Sequence, residues 1–320
     1  MLLKVENLSV HYMQKFSPPV LAVDRVDFQV GEGEMVGLVG ESGSGKSTLG
    51  LAIMKLVPPP GKIVSGRILL NGRDLVPLSE KEMRFIRGRE ISMVFQDPMT
   101  SLDPLMRIGD HLIETILAHE KISKKEAEER AIKLLQAVGI SPDRFHDYPH
   151  QMSGGMRQRV MIALALALNP KLVIADEPTT ALDVIVQDQI IDLFKNLRNQ
   201  FKVAIVMVSH DLALELEATE KMAVMYGGWI MEFSRSVDIA RDPLHPYTEA
   251  LLKAIPNVEL DSQKLISIPG NPPDLSNPPK GCRFHPRCPY AEDVCREKEP
   301  PTHFIDGRYV KCWLFGSDRK

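Results

Sequence analysis

Eight consecutive residues, Gly40-Glu41-Ser42-Gly43-Ser44-Gly45-Lys46-Ser47, have the types and spacing needed to hold a polyphosphate. Glycines let successive backbone N–H groups turn inward on phosphate oxygens, and the helix that follows adds partial positive charge. Lys46 is expected to reach the β- and γ-phosphates and Ser47 to ligate Mg²⁺, so Gly40 through Thr48 is the expected ATP-binding stretch. Asp176-Glu177 closes a separate apolar run. Asp176 is expected to hold the same Mg²⁺, directly or through water, and Glu177 to act as general base on an attacking water. Alone, an Asp-Glu pair would mean little; beside a complete phosphate loop it has a partner.

A third constellation is Cys282, Cys288, Cys295 and Cys312, spaced C-x5-C-x6-C-x16-C, with no cysteine in the 281 residues before them. In a chain without a secretion signal, such clustering favours a metal over disulfides. The spacing lacks the C-x2-C pairs of common zinc ribbons. Four thiolates can hold one 4Fe-4S cluster, and irregular spacing is compatible with that. Zinc, and no metal at all, stay open as alternatives.

The elements that must position these groups can be read around them. Leu3 to Tyr12 and Leu21 to Val30 alternate as strands do, and Glu32-Gly33-Glu34 reads as a turn. Met35 to Val39, Leu172 to Ala175 and Val203 to Val208 are short apolar runs that fit buried parallel strands. Each ends in chemically able residues: Gly40-Glu41-Ser42, Asp176-Glu177 and Ser209-His210-Asp211. Ligands of open α/β sheets sit at the carboxyl ends of strands, so the three runs point to one shared site. Between Asp97 and Leu168 the pattern is helical, with a capping box at Ser123-Lys124-Lys125-Glu126 and a helix stop at Gly139. Twelve of the 24 prolines fall after Ser236, which predicts a short helix at Tyr247 to Ala254 and then a loop-rich appendage.

Bulk properties narrow the field. The 320 residues suit one large domain and a smaller one. A formal charge of −3 without a long basic stretch argues against nucleic acid as a partner. The longest apolar run, Val160 to Leu168, is too short to span a bilayer, and the first residues lack a signal-peptide layout. A cytosolic protein that reaches a membrane only through partners is expected.

Further residues give the chain a family resemblance. Met152-Ser153-Gly154-Gly155-Met156, before Arg157-Gln158-Arg159, resembles the LSGGQ signature of ABC ATPases. Gln96 in Met93-Val94-Phe95-Gln96-Asp97-Pro98 looks like the Q-loop, Ala181-Leu182-Asp183 like the D-loop, and His210 like the switch histidine. The resemblance covers about residues 1–235 and implies an ABC-type P-loop NTPase fold: α/β, with a RecA-like core, an antiparallel β subdomain and a helical insertion at about 97–168. It implies ATP hydrolysis in a dimer, the signature of each subunit capping ATP held by the other. Gly154 and Gly155 at a helix start expose N–H groups that suit a γ-phosphate. Gln96 would link Mg²⁺ or the attacking water to the helical part, His210 would hold the γ-phosphate and water geometry, and Tyr12 would stack on adenine, with Phe16 as a nearby competitor. Asp183 would order the dimer contact. The stretch from Gln96 to Leu105, with Asp97, Pro98, Met99 and Leu102, is the expected groove for a membrane subunit's coupling helix.

Met156 replaces the usual Gln and loses its amide hydrogen bonding, while Ser153 and both glycines remain. SGGMRQR resembles the variant found in the D-type ATPase of oligopeptide and dipeptide importers. His245-Pro246-Tyr247-Thr248-Glu249-Ala250-Leu251-Leu252, Pro269-Gly270-Asn271-Pro272-Pro273 and the segment from Gly281 to Pro289 resemble the C-terminal extension of peptide and nickel importers. Residues 236–320 are thus expected to be a small loop-rich extension, and the resemblance favours a 4Fe-4S cluster at its cysteines, in a structural role. The implied partners are a second ATPase (an F-type subunit or another copy), two transmembrane permeases and, indirectly, an extracellular solute-binding protein. The implied location is the cytoplasmic face of the membrane. Peptides, oligosaccharides and nickel are the candidate solutes. A soluble ABC ATPase for nucleic-acid or ribosome work, and a redox-gated regulator, are the competing functions.

Overall fold

Short apolar runs that pair in parallel build the centre of the molecule. The computed structural model describes residues 1–97, 101–180, 182–255 and 268–315. Strands β1 (Leu3–Tyr12) and β2 (Val20–Val30) pair antiparallel, with Leu3 opposite Val30 and Tyr12 opposite Val20. Strand β3 (Met35–Val39) runs through the glycine-rich loop into helix α1 (Lys46–Ile53). Strands β4 (Gly61–Leu70) and β5 (Arg73–Asp74) return to the first pair and complete a four-stranded sheet, β2-β1-β4-β5. Helix α2 (Glu80–Ile86) and strand β6 (Ile91–Val94) follow.

The insertion carries helices α3 (Ile108–His119), α4 (Lys124–Ala137) and α5 (Gly154–Leu166). Helix α4 starts where the capping box predicts. Ser123 Oγ accepts from the Glu126 N–H at 3.2 Å while the Glu126 carboxylate accepts from the Ser123 N–H at 2.8 Å, an arrangement worth about 1 kcal/mol. Strand β7 (Leu172–Asp176), helix α6 (Val184–Phe201), strand β8 (Ala204–Ser209) and helix α7 (Leu212–Ala218) restore the alternation of strand and helix. Strands β9 (Lys221–Tyr226) and β10 (Trp229–Arg235) lead to helices α8 (Ser236–Arg241), α9 (Pro246–Lys253) and α10 (Asp293–Glu297), and to strands β11 (Thr302–Ile305) and β12 (Arg308–Lys311).

The second sheet has the order β11-β12-β10-β9-β3-β8-β7-β6. Its pairs from β9 across to β6 are parallel, and those from β9 out to β11 are antiparallel. Every residue of β3, β7 and β8 is buried, which is why these runs are continuously apolar rather than alternating. One core lies where the insertion and α6 pack on this sheet; a second joins it to the four-stranded sheet and α1.

The extension departs from the expected appendage with little core. A third core joins Val39, Met222, Val224, Tyr226 and Trp229 of the sheet to Tyr247, Cys282 and Phe284 of the extension. Hairpin β11–β12 also adds to the main sheet, with Val310 opposite Glu232 and Tyr309 opposite Phe233. Its turn, Asp306-Gly307, has φ of 50° and 78°, the double left-handed geometry that suits a two-residue hairpin. Apolar burial and strand pairing hold the extension, so its proline content did not report its packing.

Candidate active site

The carboxyl ends of β3, β6, β7 and β8 open onto one cleft of about 570 Å³. Tyr12, Ser42, Gly43, Gly45, Lys46, Ser47, Thr48, Gln96, Glu177 and His210, all expected from the sequence, line it. Gly40 and Gly45 are dictated by crowding and backbone angle together. At φ 152° and 106°, a Cβ would stand 2.0 Å from the Met225 carbonyl oxygen and 2.1 Å from the Ala22 carbonyl oxygen, respectively. Lys46 is 4% exposed, and its Nζ donates to the carbonyls of Gly40 at 2.8 Å and Glu41 at 3.0 Å. Burial lowers its pKa, against the opposing charges of Glu177, Asp176 and Glu41.

Ser47 Oγ donates to Asp176 Oδ1 at 2.9 Å, so the hydroxyl and the carboxylate expected to share a cation already touch. Burial raises the Asp176 pKa, with the Ser47 hydrogen bond opposing it and Glu177 adding to it. Glu177 adopts φ 47°, an uncommon angle for a residue with a side chain, and its N–H donates to the Val208 carbonyl at 2.8 Å. One Glu177 oxygen accepts from Gln96 Nε2 at 3.0 Å and from Thr180 Oγ1 at 2.9 Å; the other lies 3.4 Å from His210 Nδ1. Segments distant in sequence thus converge on one carboxylate.

Tyr12 lines the same cleft and its hydroxyl stands 3.4 Å from Thr48 Oγ1, while its competitor Phe16 is 91% exposed. Ser153, Gly154 and Gly155 do not line this cleft. They open helix α5, where Ser153 Oγ accepts from the Met156 N–H at 3.3 Å, and Gly154 and Gly155 face Leu182 and Val186. Asp183 caps α6 by accepting from the Val186 N–H at 3.0 Å. Ala181 of the expected D-loop, and Pro98 and Met99 of the expected coupling groove, lie outside the described residues.

The sequence reading missed Val20, Ala22, Thr180 and Leu275. Thr180 follows Glu177 by three residues, close enough to have been found. Leu275 comes from the extension, and its carbonyl accepts from the Leu21 N–H at 2.9 Å; no local signal marks it.

The four cysteines do converge. Cys282, Cys288, Cys295 and Cys312 line a cavity of about 20 Å³ with His245 and Phe284, and no disulfide joins them. Burial pushes the thiols up, Cys282 to about 12 and Cys312 to about 11. His245 is 1% exposed, and burial pulls its pKa down to about 3. Its Nδ1 accepts from the Tyr247 N–H at 2.9 Å, so the neutral ring carries its hydrogen on Nε2, which has no partner. Among the described residues, no group of three or more His, Cys, Asp or Glu side chains is disposed to hold a metal ion. Neither zinc nor a 4Fe-4S cluster is therefore supported by the arrangement of the thiols, which surround a space fit for about one water molecule.

A cleft of this construction, on parallel strand ends beside a helical insertion, defines a P-loop ATPase of the ABC class. Residues 23–180 match the family described as ABC transporter, and residues 231–295 match the C-terminal region of oligopeptide/dipeptide transporters. The chain is 50% identical to the oligopeptide transport ATP-binding protein OppD of Bacillus subtilis (strain 168), over 99% of this chain and 90% of that protein. It is also 50% identical to the dipeptide transport ATP-binding protein DppD of Escherichia coli (strain K12), over 97% of this chain and 96% of that protein. Among solved structures it resembles the cassette MJ0796, a dimer in a post-hydrolysis state bound to ADP and Pi, with a TM-score of 0.66 and 30% identity over 73% of this chain and 98% of that one. The chain belongs to the family of oligopeptide and dipeptide transport ATP-binding proteins, and it is an ATP-hydrolysing enzyme.

Proposed function

We propose that this chain powers a peptide importer by hydrolysing Mg-ATP in a dimer of ATPase subunits. The observation that carries the catalytic assignment is the convergence of Gln96, Thr180 and His210 on Glu177, above the Lys46–Ser47–Asp176 floor. In this reading Glu177 accepts a proton from the attacking water and Gln96 and His210 fix the water's position. The backbone from Gly40 to Thr48 and Lys46 bind the phosphates, while Tyr12, Val20 and Leu275 form the wall for the base. Ser47 Oγ, Asp176 and Gln96 are hard oxygen donors that suit Mg²⁺, and a cation held by one carboxylate and substrate phosphates needs no cage of acids. Glu177→Gln is expected to bind ATP and retain the closed dimer while turnover falls by about 10²–10⁴-fold. Stopped-flow phosphate release measures this; normal turnover would remove Glu177 from the mechanism.

The signature turn at Ser153-Gly154-Gly155 stands outside its own cleft, which supports a second subunit, an F-type relative or another copy, whose ATP it caps. No helix among the described residues is long and apolar enough to cross a membrane. The reading therefore gives transport to two permease partners, with a solute-binding protein outside the cell and this chain on the cytoplasmic face. Peptide is the solute favoured by the names of the relatives; oligosaccharide and nickel are the alternatives. Uptake assays of labelled dipeptide, oligosaccharide and nickel in a strain lacking this chain decide among them.

The division into an ATPase domain at 1–235 and an extension at 236–320 carries over as part of this reading, with β12 docked on β10 across the boundary. At the cysteines we retain a 4Fe-4S cluster as the proposed occupant. Four soft donors and the unpartnered Nε2–H of His245 face one cavity, which suits an anionic sulfur-bearing group in kind. Its volume does not fit a cluster without spreading of the thiols. Anaerobic purification is expected to give brown protein with about four irons and four sulfides per chain. A colourless, iron-free product with all four thiols reactive would end this assignment.

A further inference from the structure

The phosphate loop and the cysteine-bearing segment meet at Glu41, a loop residue whose side chain the nucleotide chemistry does not use. Arg287, 7% exposed and adjacent to Cys288, grips the Glu41 carboxylate with two hydrogen bonds, at 2.6 and 2.9 Å. Its remaining polar contacts are fixed as well, since Nε donates to the Pro269 carbonyl at 2.8 Å and its terminal nitrogens reach Tyr226 Oη at 3.3 Å and the Ile268 carbonyl at 3.4 Å. The fully buried Tyr247 hydroxyl accepts from the Glu41 N–H at 3.0 Å. On the other side of the same residue, the Glu41 carbonyl accepts from Lys46 Nζ at 3.0 Å. The backbone of Glu41 is thus held from the extension at its N–H and side chain, and hands its carbonyl to the phosphate-binding lysine.

The segment that carries Arg287 is anchored on one side and borders the cysteine cavity on the other. On one side stands Arg283, 3% exposed, which bonds Asp24 at 2.6 Å and the Gly227 carbonyl and lies over the Trp229 ring at 4.3 Å. On the other side Arg287 is followed directly by Cys288, on the wall of the cysteine cavity. The guanidinium on the phosphate loop and the thiol on the cavity wall thus sit on consecutive residues.

We infer that Arg287 and Tyr247 are positioning residues for the phosphate loop, and that through them the cysteine-bearing segment sets this chain's affinity for ATP. The bidentate pair and the tyrosine hold Glu41 so that Lys46 and the loop N–H groups converge before nucleotide arrives. Without that hold the loop must be ordered at the expense of binding. The inference deepens the nucleotide-site reading, and the two fail separately: Lys46→Ala weakens ATP binding under that reading whatever the extension does.

The test measures ATP affinity with a fluorescent ATP analogue, together with KM and kcat, on the purified full chain. Arg287→Met is expected to raise Kd and KM roughly tenfold with kcat within about twofold. Arg287→Lys should recover part of the loss, Tyr247→Phe should raise Kd about threefold, and Glu41→Gln should reproduce the arginine variant. The double variant of Arg287→Met and Glu41→Gln should be no worse than either single change. Cys288→Ser should weaken ATP binding in the wild-type background and leave Arg287→Met unaffected. A folded Arg287→Met with wild-type Kd overturns the inference. If that variant does not fold, a wild-type Kd for Glu41→Gln does the same. Independent, multiplying effects of Cys288→Ser and Arg287→Met overturn the link to the cysteines.

Discussion

Lys46 and Cys282 are buried to similar depth, 4% and 7% exposed, yet they face different kinds of space. Lys46 opens onto a cleft of about 570 Å³ whose rim includes a largely exposed His210 side chain. Cys282 faces a small cavity of about 20 Å³. Burial disfavours charge at both, but only the lysine has counter-charges in reach, in Glu177, Asp176 and Glu41. The thiols have none strong enough and are pushed toward the neutral form. The cleft therefore sets groups of opposite sign against one another and is wide enough to exchange a ligand. The cysteine cavity acquires charge only with what it binds, which suits a permanent occupant.

The comparison can be broken in three ways, in order of expected effect. Phe284, 1% exposed, packs on Tyr226, Tyr247 and His245 with ring centroids at 5.2, 5.3 and 5.8 Å. Phe284→Ala should cost about 3–5 kcal/mol of stability in a denaturant titration; a loss under about 1 kcal/mol would mean that the extension does not share the core. Lys46→Ala should lower ATP turnover roughly 10²–10³-fold and leave the state of the four thiols unchanged. Unchanged turnover would remove Lys46 from the phosphate site. The third effect is acid sensitivity. Burial holds His245 neutral down to about pH 3, against an ordinary value of 6.5. Above that ordinary value neither the folded nor the unfolded state binds this proton, so no slope arises. Below it the unfolded chain takes up the proton and the folded chain does not, so stability falls as pH falls. In metal-free protein about 1.4 kcal/mol should be lost at pH 5.5, and His245→Gln should remove that share of the slope in unfolding measured from pH 7.5 to 5.

The cleft was far more legible in the sequence than the cavity, for a physical reason. Phosphate binding is local: eight adjacent residues make the loop, and short apolar runs announce the strands that bring Asp176, Glu177 and His210 to it. The capping box at Ser123 is equally local. What stayed hidden depends on partners distant in sequence. Strand β12 is four residues long and gains its place from β10, although its Asp306-Gly307 turn was a readable hairpin signal. Leu275 reaches the nucleotide wall, and Arg287 reaches Glu41, by tertiary packing alone. The cysteines were readable as a group; their spacing did not disclose how small a space they enclose.

Glu41 and Arg287 stand 246 residues apart in the chain. A ribosome adding about 5–20 residues per second takes roughly 10–50 s to cover that distance. The phosphate loop thus emerges early but receives the Arg287 clasp late, after Gln96, Glu177 and His210 of the cleft have been made. If Arg287 orders the phosphate loop as proposed, a nascent or prematurely stopped polypeptide holds ATP weakly, and little fuel is consumed before the subunit is finished.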